Sequence, residues 1–207
     1  MRGNRFLRMR ILFALCAAAL AAALSPAIAA ESIAAPERQA ATTAEARTGN
    51  RLDELFGQLK RERNEKAAER IASRISEEWN HSGSASIDLM MMWSKDAMDS
   101  KKFDVALDFL DQVVTMEPTY AEGWNRRATV HFVMQNYAKS MADISHTLEL
   151  EPRHFGALAG MGQIMKNTGR NELALQAWQR VLDIYPMMRN AQNEVATLSE
   201  ELAGEGI

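Results

Sequence analysis

Three prolines recur at one fixed interval in this chain of 207 residues. Pro118, Pro152 and Pro186 are each separated by 34 residues, and each follows the end of an amphipathic segment. Proline cannot continue the hydrogen-bond ladder of a helix, so each one marks a helix end. An internal period of this length predicts a stack of similar helical units, in which each unit covers the apolar face of its neighbour.

Side-chain size repeats with the same period in blocks that start at Ile87, Ala121 and Phe155. The eighth and twentieth residues of each block are small, whereas the twenty-fourth is large. Small residues let two helix backbones approach closely, and large ones fill the space beside them. Each block is therefore predicted to be an antiparallel helix pair joined by a short polar turn. These residues are Ser94, Ala106 and Leu110, then Ala128, Ser140 and Ile144, then Gly162, Ala174 and Trp178.

Repeat length, small positions, large positions and closing proline together resemble the tetratricopeptide repeat (TPR) family. The resemblance implies an all-α fold, a right-handed superhelical solenoid of antiparallel helix pairs. Its three clear repeats are residues 87–120, 121–154 and 155–188.

Helical segments are also predicted on both sides of the three repeats. Residues 51–86 are interpreted as a degenerate N-terminal helical pair, in which Ser84 replaces the closing proline and Lys60 the small eighth residue. Residues 189–203 are predicted to be a C-terminal capping helix with a polar outer side. Residues 204–207 are left as a tail.

The N-terminus has the order of a secretory signal peptide. Four arginines and no acid precede an uncharged apolar run at residues 11–24, and Ala27 and Ala29 form a small-residue cleavage site. The sequence predicts a signal peptide at residues 1–29, cleavage after Ala29 and a periplasmic location. The alternative is an uncleaved anchor, although the run is shorter than the roughly 20 residues that a spanning helix needs. Residues 30–50 are predicted to be a disordered leader.

Composition limits the chemistry of the exported chain. The only cysteine, Cys16, lies within the signal, so we expect no disulfide, thiolate nucleophile or cysteine-held metal after cleavage. Of 24 basic residues, four lie in the signal, so 20 remain against 27 acidic residues. An acidic chain of this kind is a poor candidate for general nucleic-acid or anionic-membrane binding.

Catalytic and metal-binding signatures are missing from the sequence. It contains no GxSxG, HExxH, P-loop, dinucleotide or EF-hand motif. The four histidines are too far apart in sequence to form a helical metal pair, and the consecutive Met90, Met91 and Met92 point in different directions on a helix. We therefore expect no catalysis, no cofactor and no metal.

The stretch from Glu122 to Phe132 carries a tryptophan, two arginines and a histidine. In the register of the repeat, Trp124 and His131 are predicted to be core residues. Arg127 stands where the family usually has leucine, so its stem is expected to pack while its head reaches a nearby acid.

The TPR resemblance also implies a protein or peptide partner held in a concave groove. In the family this groove is lined by the first helix of each repeat. The predicted groove residues are Met91, Lys95, Met98, Asn125, Arg126, Thr129, Phe132, Gln163, Lys166 and Asn167.

Some family members clamp a partner's terminal carboxylate with cationic and amide side chains. The corresponding places here hold Met91, Lys95, Arg126, Gly156 and Gly160, of which only two are cationic, so this clamp is not predicted.

The sequence as a whole predicts a non-catalytic interaction module in the cell envelope. Two alternatives stay open: a structural component of an envelope assembly that uses its outer faces, and an accessory subunit that holds substrate for a separate enzyme. Large apolar residues outside the core would favour the structural component.

Overall fold

The computed structural model describes residues 49–204, and every regular element in that range is an α-helix. The predicted signal peptide and the leader as far as residue 48 lie outside the described residues, as do residues 205–207. Residues 49 and 50, which the sequence analysis assigns to the leader, already belong to the first helix, α1, at 49–61.

Helices α3 to α8 form three consecutive antiparallel pairs. Within the described range, α3 packs on α4, α5 on α6 and α7 on α8, and adjoining pairs meet through α4 with α5 and α6 with α7. Helix α9 packs on α8. This arrangement confirms the predicted all-helical repeat fold. The helices are α2 Glu65–Trp79, α3 Ala85–Asp99, α4 Phe103–Met116, α5 Ala121–Val133, α6 Tyr137–Leu150, α7 Phe155–Asn167, α8 Asn171–Ile184 and α9 Arg189–Gly204.

Small residues bring the two helices of a repeat together, as their spacing predicts. In the third repeat, a Cβ atom placed on Gly162 would lie 2.7 Å from Nε1 of the buried Trp178. In the second repeat, the buried Ser140 hydroxyl donates a hydrogen bond of 2.8 Å to the carbonyl of Ala128. The eighth position is therefore in contact with the twentieth or twenty-fourth in these repeats.

The turn within each repeat has one conformation in all three copies. Lys101, Gln135 and Gly169 occupy the same repeat position, and each has a positive φ, of 57°, 60° and 70° respectively. The following amide then donates to a carbonyl five residues back, for example Lys102 to Ala97 at 2.8 Å. This is the Schellman pattern that ends helices by satisfying their last carbonyls.

The N-terminal hairpin, formed by α1 and α2, does not extend the stack. A degenerate copy of the repeat would stack on α3 and α4, but the apolar residues of the hairpin cluster with residues of the third repeat. Leu55, Phe56, Leu59 and Ile75 share this cluster with Tyr185. Its partly buried members include Phe155, Ile184, Met187 and Met188.

Ion pairs and aromatic contacts hold the hairpin in this position. Arg153 pairs with Asp53 at 2.6 Å, and its guanidinium also lies over the Phe56 ring, 4.2 Å from the centroid. Arg189, at the start of α9, pairs with Glu65 of α2. The hairpin thus covers the loops that precede α7 and α9.

The contact between Gly162 and Trp178 can be tested by adding one methyl group. We expect Gly162→Ala to lower the free energy of unfolding by about 1–3 kcal/mol, because the added Cβ overlaps the indole ring. The same change should cost less in a Trp178→Phe background, since the smaller ring leaves room for the methyl group. Urea unfolding of the single and double variants measures both effects.

The control for this prediction is Gly57→Ala in α1. A Cβ atom there would meet only the flexible Arg61 side chain, at 3.5 Å, so stability should stay equal or rise through helix propensity. Equal losses in the Gly57 and Gly162 variants would contradict the packing explanation.

Candidate functional site

A cavity of about 130 Å³ opens between the first helices of the second and third repeats. We call it the groove cavity. Three of its residues, Asn125, Thr129 and Phe132, are predicted groove residues on α5. The complete lining is Asn125, Ala128, Thr129, Phe132, Ser140, Ile144, Gly156, Ala157 and Gly160.

The groove cavity exists because α7 lacks side chains where it faces α5. Gly156 and Gly160 are one helical turn apart on α7. A Cβ atom on Gly160 would lie 3.4 Å from Cδ1 of Ile144, which forms part of the lining. Ala128 and Ser140 are small because the two helices of the second repeat approach closely at these positions. The residues that permit this packing therefore also leave the space open.

The lining determines which chemistry the groove cavity can accept. Six of its nine residues are glycine or apolar, and the three polar side chains, of Asn125, Thr129 and Ser140, already have hydrogen-bond partners within the chain. The Asn125 amide donates to Glu122 Oε2 at 3.0 Å, and the Thr129 hydroxyl donates to the Asn125 carbonyl at 2.9 Å. An apolar cavity of this volume suits one aliphatic side chain, whose burial stabilises a complex by about 1.5–3 kcal/mol.

Two further predicted groove residues continue the surface along α7. The Gln163 amide donates to Asn167 Oδ1 at 2.8 Å, and the Asn167 amide donates to the Tyr137 hydroxyl at 3.2 Å. The Tyr137 ring in turn packs against Phe132, with 5.8 Å between the centroids. Gln163 and Asn167 are thus connected to the groove cavity through an aromatic pair.

The other predicted groove residues are separated from the groove cavity, and Met91 is a correction. Met91 is only 5% exposed, because its side chain is buried in the apolar core of the first repeat together with Val130 of α5. Met98 is partly buried against the same core. Lys95 pairs with Asp99 one turn along α3, and Lys166 pairs with Glu194 of α9 at 2.7 Å.

Arg126 is the remaining predicted groove residue, and it belongs to a buried polar network that the sequence analysis missed. The centre of this network is Glu122, which is 9% exposed. Its carboxylate accepts hydrogen bonds from Arg126 Nε at 2.9 Å and from His154 Nε2 at 3.1 Å. Arg126 also donates to the side chain of Asn80, immediately after α2.

His154 connects this network to the N-terminal hairpin. Its Nδ1 atom accepts the Ala157 amide at 3.1 Å and caps α7, so the proton of the neutral ring lies on Nε2 and points to Glu122. The ring is 2% exposed and stacks on Trp79, with 4.0 Å between centroids and an interplanar angle of 10°. The last residue of α2 therefore packs beside the end of the groove cavity that Gly156 lines.

Opposing effects act on the Glu122 carboxyl. Burial raises its pKa, but the hydrogen bonds from His154 and Arg126, together with the positive charge of Arg126, outweigh burial, so the pKa of Glu122 lies below its ordinary value. A buried carboxylate is stable only when it is paired in this way. A distinctive sequence signal was available, because an acid followed four residues later by arginine predicts a pair on one helix face.

Arg127 behaves as the sequence predicts. Its guanidinium donates two hydrogen bonds to the buried Asp143, at 2.9 and 2.7 Å, and a third to Asp111 of the first repeat. It also lies 4.8 Å from the ring centroid of Trp124. Trp124 was predicted to be a core residue but is only partly buried, and its Nε1 donates to the carbonyl of Pro118 at the repeat boundary. His131 is buried, and burial lowers the pKa of its imidazole.

Within residues 49–204, no group of three or more potential metal-binding side chains lies close together. None of the helices in this range is both long and apolar enough to cross a bilayer.

A curated protein of Rhizobium etli, described as a TPR repeat-containing protein, is 57% identical to this chain over 154 residues. The match covers 74% of this chain and 76% of that protein. This chain belongs to the TPR family. Small glutamine-rich tetratricopeptide repeat-containing protein 2 of Saccharomyces cerevisiae is 27% identical over 117 residues, which is 56% of this chain but only 34% of that protein. No family model matches the sequence.

Solved TPR domains share the fold at low sequence identity. The first TPR domain of Spaghetti (RPAP3), bound to an HSP90 peptide, has a TM-score of 0.55 and 22% identity, and the match covers 58% of this chain and 95% of that one. The Sgt2 TPR domain of Aspergillus fumigatus has a TM-score of 0.55 and 14% identity, with coverage of 59% and 83%. MamA has a TM-score of 0.54 and 16% identity, with coverage of 67% and 81%.

The Glu122 network predicts a defined dependence of stability on pH. A carboxyl with a lowered pKa in the folded chain stabilises the fold above its unfolded pKa, and this stabilisation is lost as pH falls through the folded value. We expect Glu122→Gln to lower the free energy of unfolding at neutral pH by about 2 kcal/mol. As the pH falls below 4.5, the ordinary pKa of a glutamate side chain, the variant should also lose less stability than the unmodified chain.

Urea unfolding at a series of pH values from neutral to strongly acidic measures both effects. Glu77→Gln provides the control, because Glu77 is exposed and lies outside the network. If the Glu122 variant and the unmodified chain show the same decline with acid, the network does not provide the pH dependence.

Proposed function

We propose that this protein is a non-catalytic protein-interaction module of the cell envelope, and that it binds an extended peptide segment of a partner in its concave groove. The observation that carries the proposal is the groove cavity between α5 and α7. An aliphatic side chain of the partner enters this cavity. The neighbouring amide groups of Asn125, Gln163 and Asn167 use only part of their bonding capacity within the chain, so each can also bond a polar group of the partner's backbone.

Related folds support peptide binding as the task of this surface. The RPAP3 domain named above is bound to the HSP90 peptide SRMEEVD, and a second RPAP3 domain is in complex with the HSP70 peptide SGPTIEEVD. The TPR2B domain of yeast Sti1 forms a complex with an Hsp70 partner. These are properties of those domains, and our proposal transfers only the general mode, a peptide in a helical groove.

The charges of this groove favour a partner other than an acidic peptide terminus. Arg126 is neutralised by Glu122, Lys95 by Asp99 and Lys166 by Glu194. A terminal carboxylate would have to break one of these pairs to gain a cation. The groove cavity offers apolar burial without such a cost, so we propose an internal, aliphatic-containing segment as the ligand.

Export to the periplasm is part of the proposal and rests on the N-terminal sequence. Arginines, an apolar run and a small-residue cleavage site stand there in the order of a signal peptide. We expect the chain isolated from its native cells to begin at Ala30, which mass spectrometry of the intact protein measures. A chain that retains residues 1–29 would contradict cleavage and favour the anchor alternative.

Photo-crosslinking in the native cell tests groove binding directly. A crosslinker at Thr129 or Gln163 should capture a discrete partner, whereas a crosslinker at the exposed Glu149 on α6 provides the control. Adducts from Glu149 alone would contradict the groove proposal and favour the use of outer faces.

Filling the groove cavity provides a second, quantitative test. Gly160→Leu places an aliphatic side chain in the cavity, so the affinity for the captured partner should fall by about 10- to 100-fold. Ala138→Leu, at an exposed position of α6, adds the same side chain outside the cavity and should leave affinity unchanged. An unchanged affinity in the Gly160 variant, with folding intact by circular dichroism, would contradict the proposal.

A further inference from the structure

Large apolar side chains are exposed on the first repeat, at the N-terminal end of the helical stack. On α3, Leu89, Met92 and Trp93 are 40%, 51% and 42% exposed, and Val105 on α4 is 42% exposed. The Trp93 ring packs against Phe109 of α4, with 5.4 Å between centroids. We call these five residues the end face. Large apolar residues outside the core are the feature expected of a protein that uses an outer face for assembly.

Repeat register shows that Leu89 and Trp93, two residues of the end face, occupy positions that make inter-repeat contacts in the other repeats. Leu89 and Trp93 are the third and seventh residues of their repeat. The same positions in the second repeat are Gly123, where a Cβ atom would lie 2.8 Å from Val113 of the first repeat, and Arg127, which pairs with Asp111. Both positions therefore face the preceding repeat.

The third repeat follows the same rule. Its third residue, Ala157, is buried in the cluster that holds Ala128 and Ile144 of the second repeat. In the first repeat, these positions carry larger apolar side chains than in the other two, yet no preceding repeat covers them among the described residues. The N-terminal hairpin, which could have supplied one, packs on the third repeat instead.

The two ends of the stack are therefore treated differently. At the C-terminal end, α9 buries Ala191 and Leu198 against the last repeat. Repeat stacks need such polar-faced caps at their ends, because an uncovered end exposes the apolar contact surface to water. Within residues 49–204, the end face has no equivalent cap.

The leader is a poor candidate to cover the end face. Residues 30–48 contain only one large apolar side chain, Ile33, and are otherwise rich in Ala, Thr and Glu. A second copy of the chain supplies an apolar surface of the same size and shape. The α3 and α4 helices are about 22 and 21 Å long, so a contact surface two helices wide is small for a stable protein interface. We therefore expect the dimer to be reversible.

Charge also favours a second copy. Asp96 and Lys102 line one cavity of about 410 Å³ with Trp93, Val105 and Phe109. A two-fold axis brings the same patch of both copies together, so that one residue of the first copy meets a different residue of the second copy, and the reverse contact is made as well. A patch that carries one acid and one base is therefore complementary to itself. Asp96 of one copy can then face Lys102 of the other.

We infer that the end face is a two-fold homodimer interface, in which α3 and α4 of two copies pack together. The interface continues the repeat packing across the axis and buries Leu89, Trp93 and Phe109 of both copies. The groove cavity is lined by residues of α5, α6 and α7, so the dimer carries two separate grooves. This inference is independent of the ligand proposed above.

Sedimentation velocity of the full-length chain over a wide range of concentrations tests the interface. We expect a reversible monomer–dimer equilibrium, and Trp93→Asp should raise the dissociation constant at least about tenfold. Leu173→Asp is the matched control, because Leu173 is 46% exposed and occupies in the third repeat the position that Val105 holds in the first. This control should leave the equilibrium unchanged, and circular dichroism verifies that both variants remain helical.

A charge exchange tests the two-fold arrangement. Asp96→Lys places two cations opposite each other and should weaken the dimer, whereas adding Lys102→Asp should restore most of the affinity. The inference is overturned by a chain that stays monomeric at every concentration, or by an association that Trp93→Asp leaves unchanged. The inference is also overturned if a crosslinker at residue 93 captures an unrelated protein in the cell while the purified chain is monomeric. The end face would then bind that protein.

Discussion

Close approach of two helix backbones within each repeat is the constraint on which the rest of this structure depends. It requires a small residue on the first helix opposite a large one on the second, as with Gly162 beneath Trp178. A second small residue lies on the second helix, and where it can donate, the contact gains a hydrogen bond, as with the Ser140 hydroxyl and the Ala128 carbonyl. The pairs stack because each leaves one apolar face uncovered. Stability in such a fold comes from many similar contacts between neighbours.

The groove cavity is a by-product of that constraint. The small residues that let the helices of a repeat approach also leave little side-chain volume beside the contact, and the two glycines of α7 reduce this volume further. The end of the groove is determined differently, by a buried carboxylate. Glu122 is stable there because Arg126 and His154 bond it, and His154 is held in turn by the amide of Ala157 and the ring of Trp79. A loss at one member of this network would reach both the groove and the N-terminal hairpin.

Periodicity allowed the all-helical repeat fold to be predicted, because small and large positions recur wherever the same packing recurs. Asn125, Thr129 and Phe132 could be placed on one surface by the same register, and the structure brings them together in the groove cavity. The burial of Met91 could not be predicted in this way. Helical register gives the direction of a side chain, but it does not show whether a flexible methionine folds back into a neighbouring gap. The position of the hairpin was equally inaccessible. Its amphipathic pattern shows that it must pack somewhere, and only three-dimensional contacts reveal Tyr185 and Phe155 as the surface.

The return of the hairpin to the third repeat changes how this chain must fold. Repeat stacks usually fold through contacts between sequence neighbours, so they can grow from either end. Here Asp53 meets Arg153 and Glu65 meets Arg189, at sequence separations of 100 and 124 residues. Contacts over such distances form late, because a long loop must close before they contribute. The N-terminal hairpin is synthesised first among the described residues, but it can dock only after the third repeat and the start of α9 have been synthesised. Until then the apolar faces of both partners stay open to water and to other proteins.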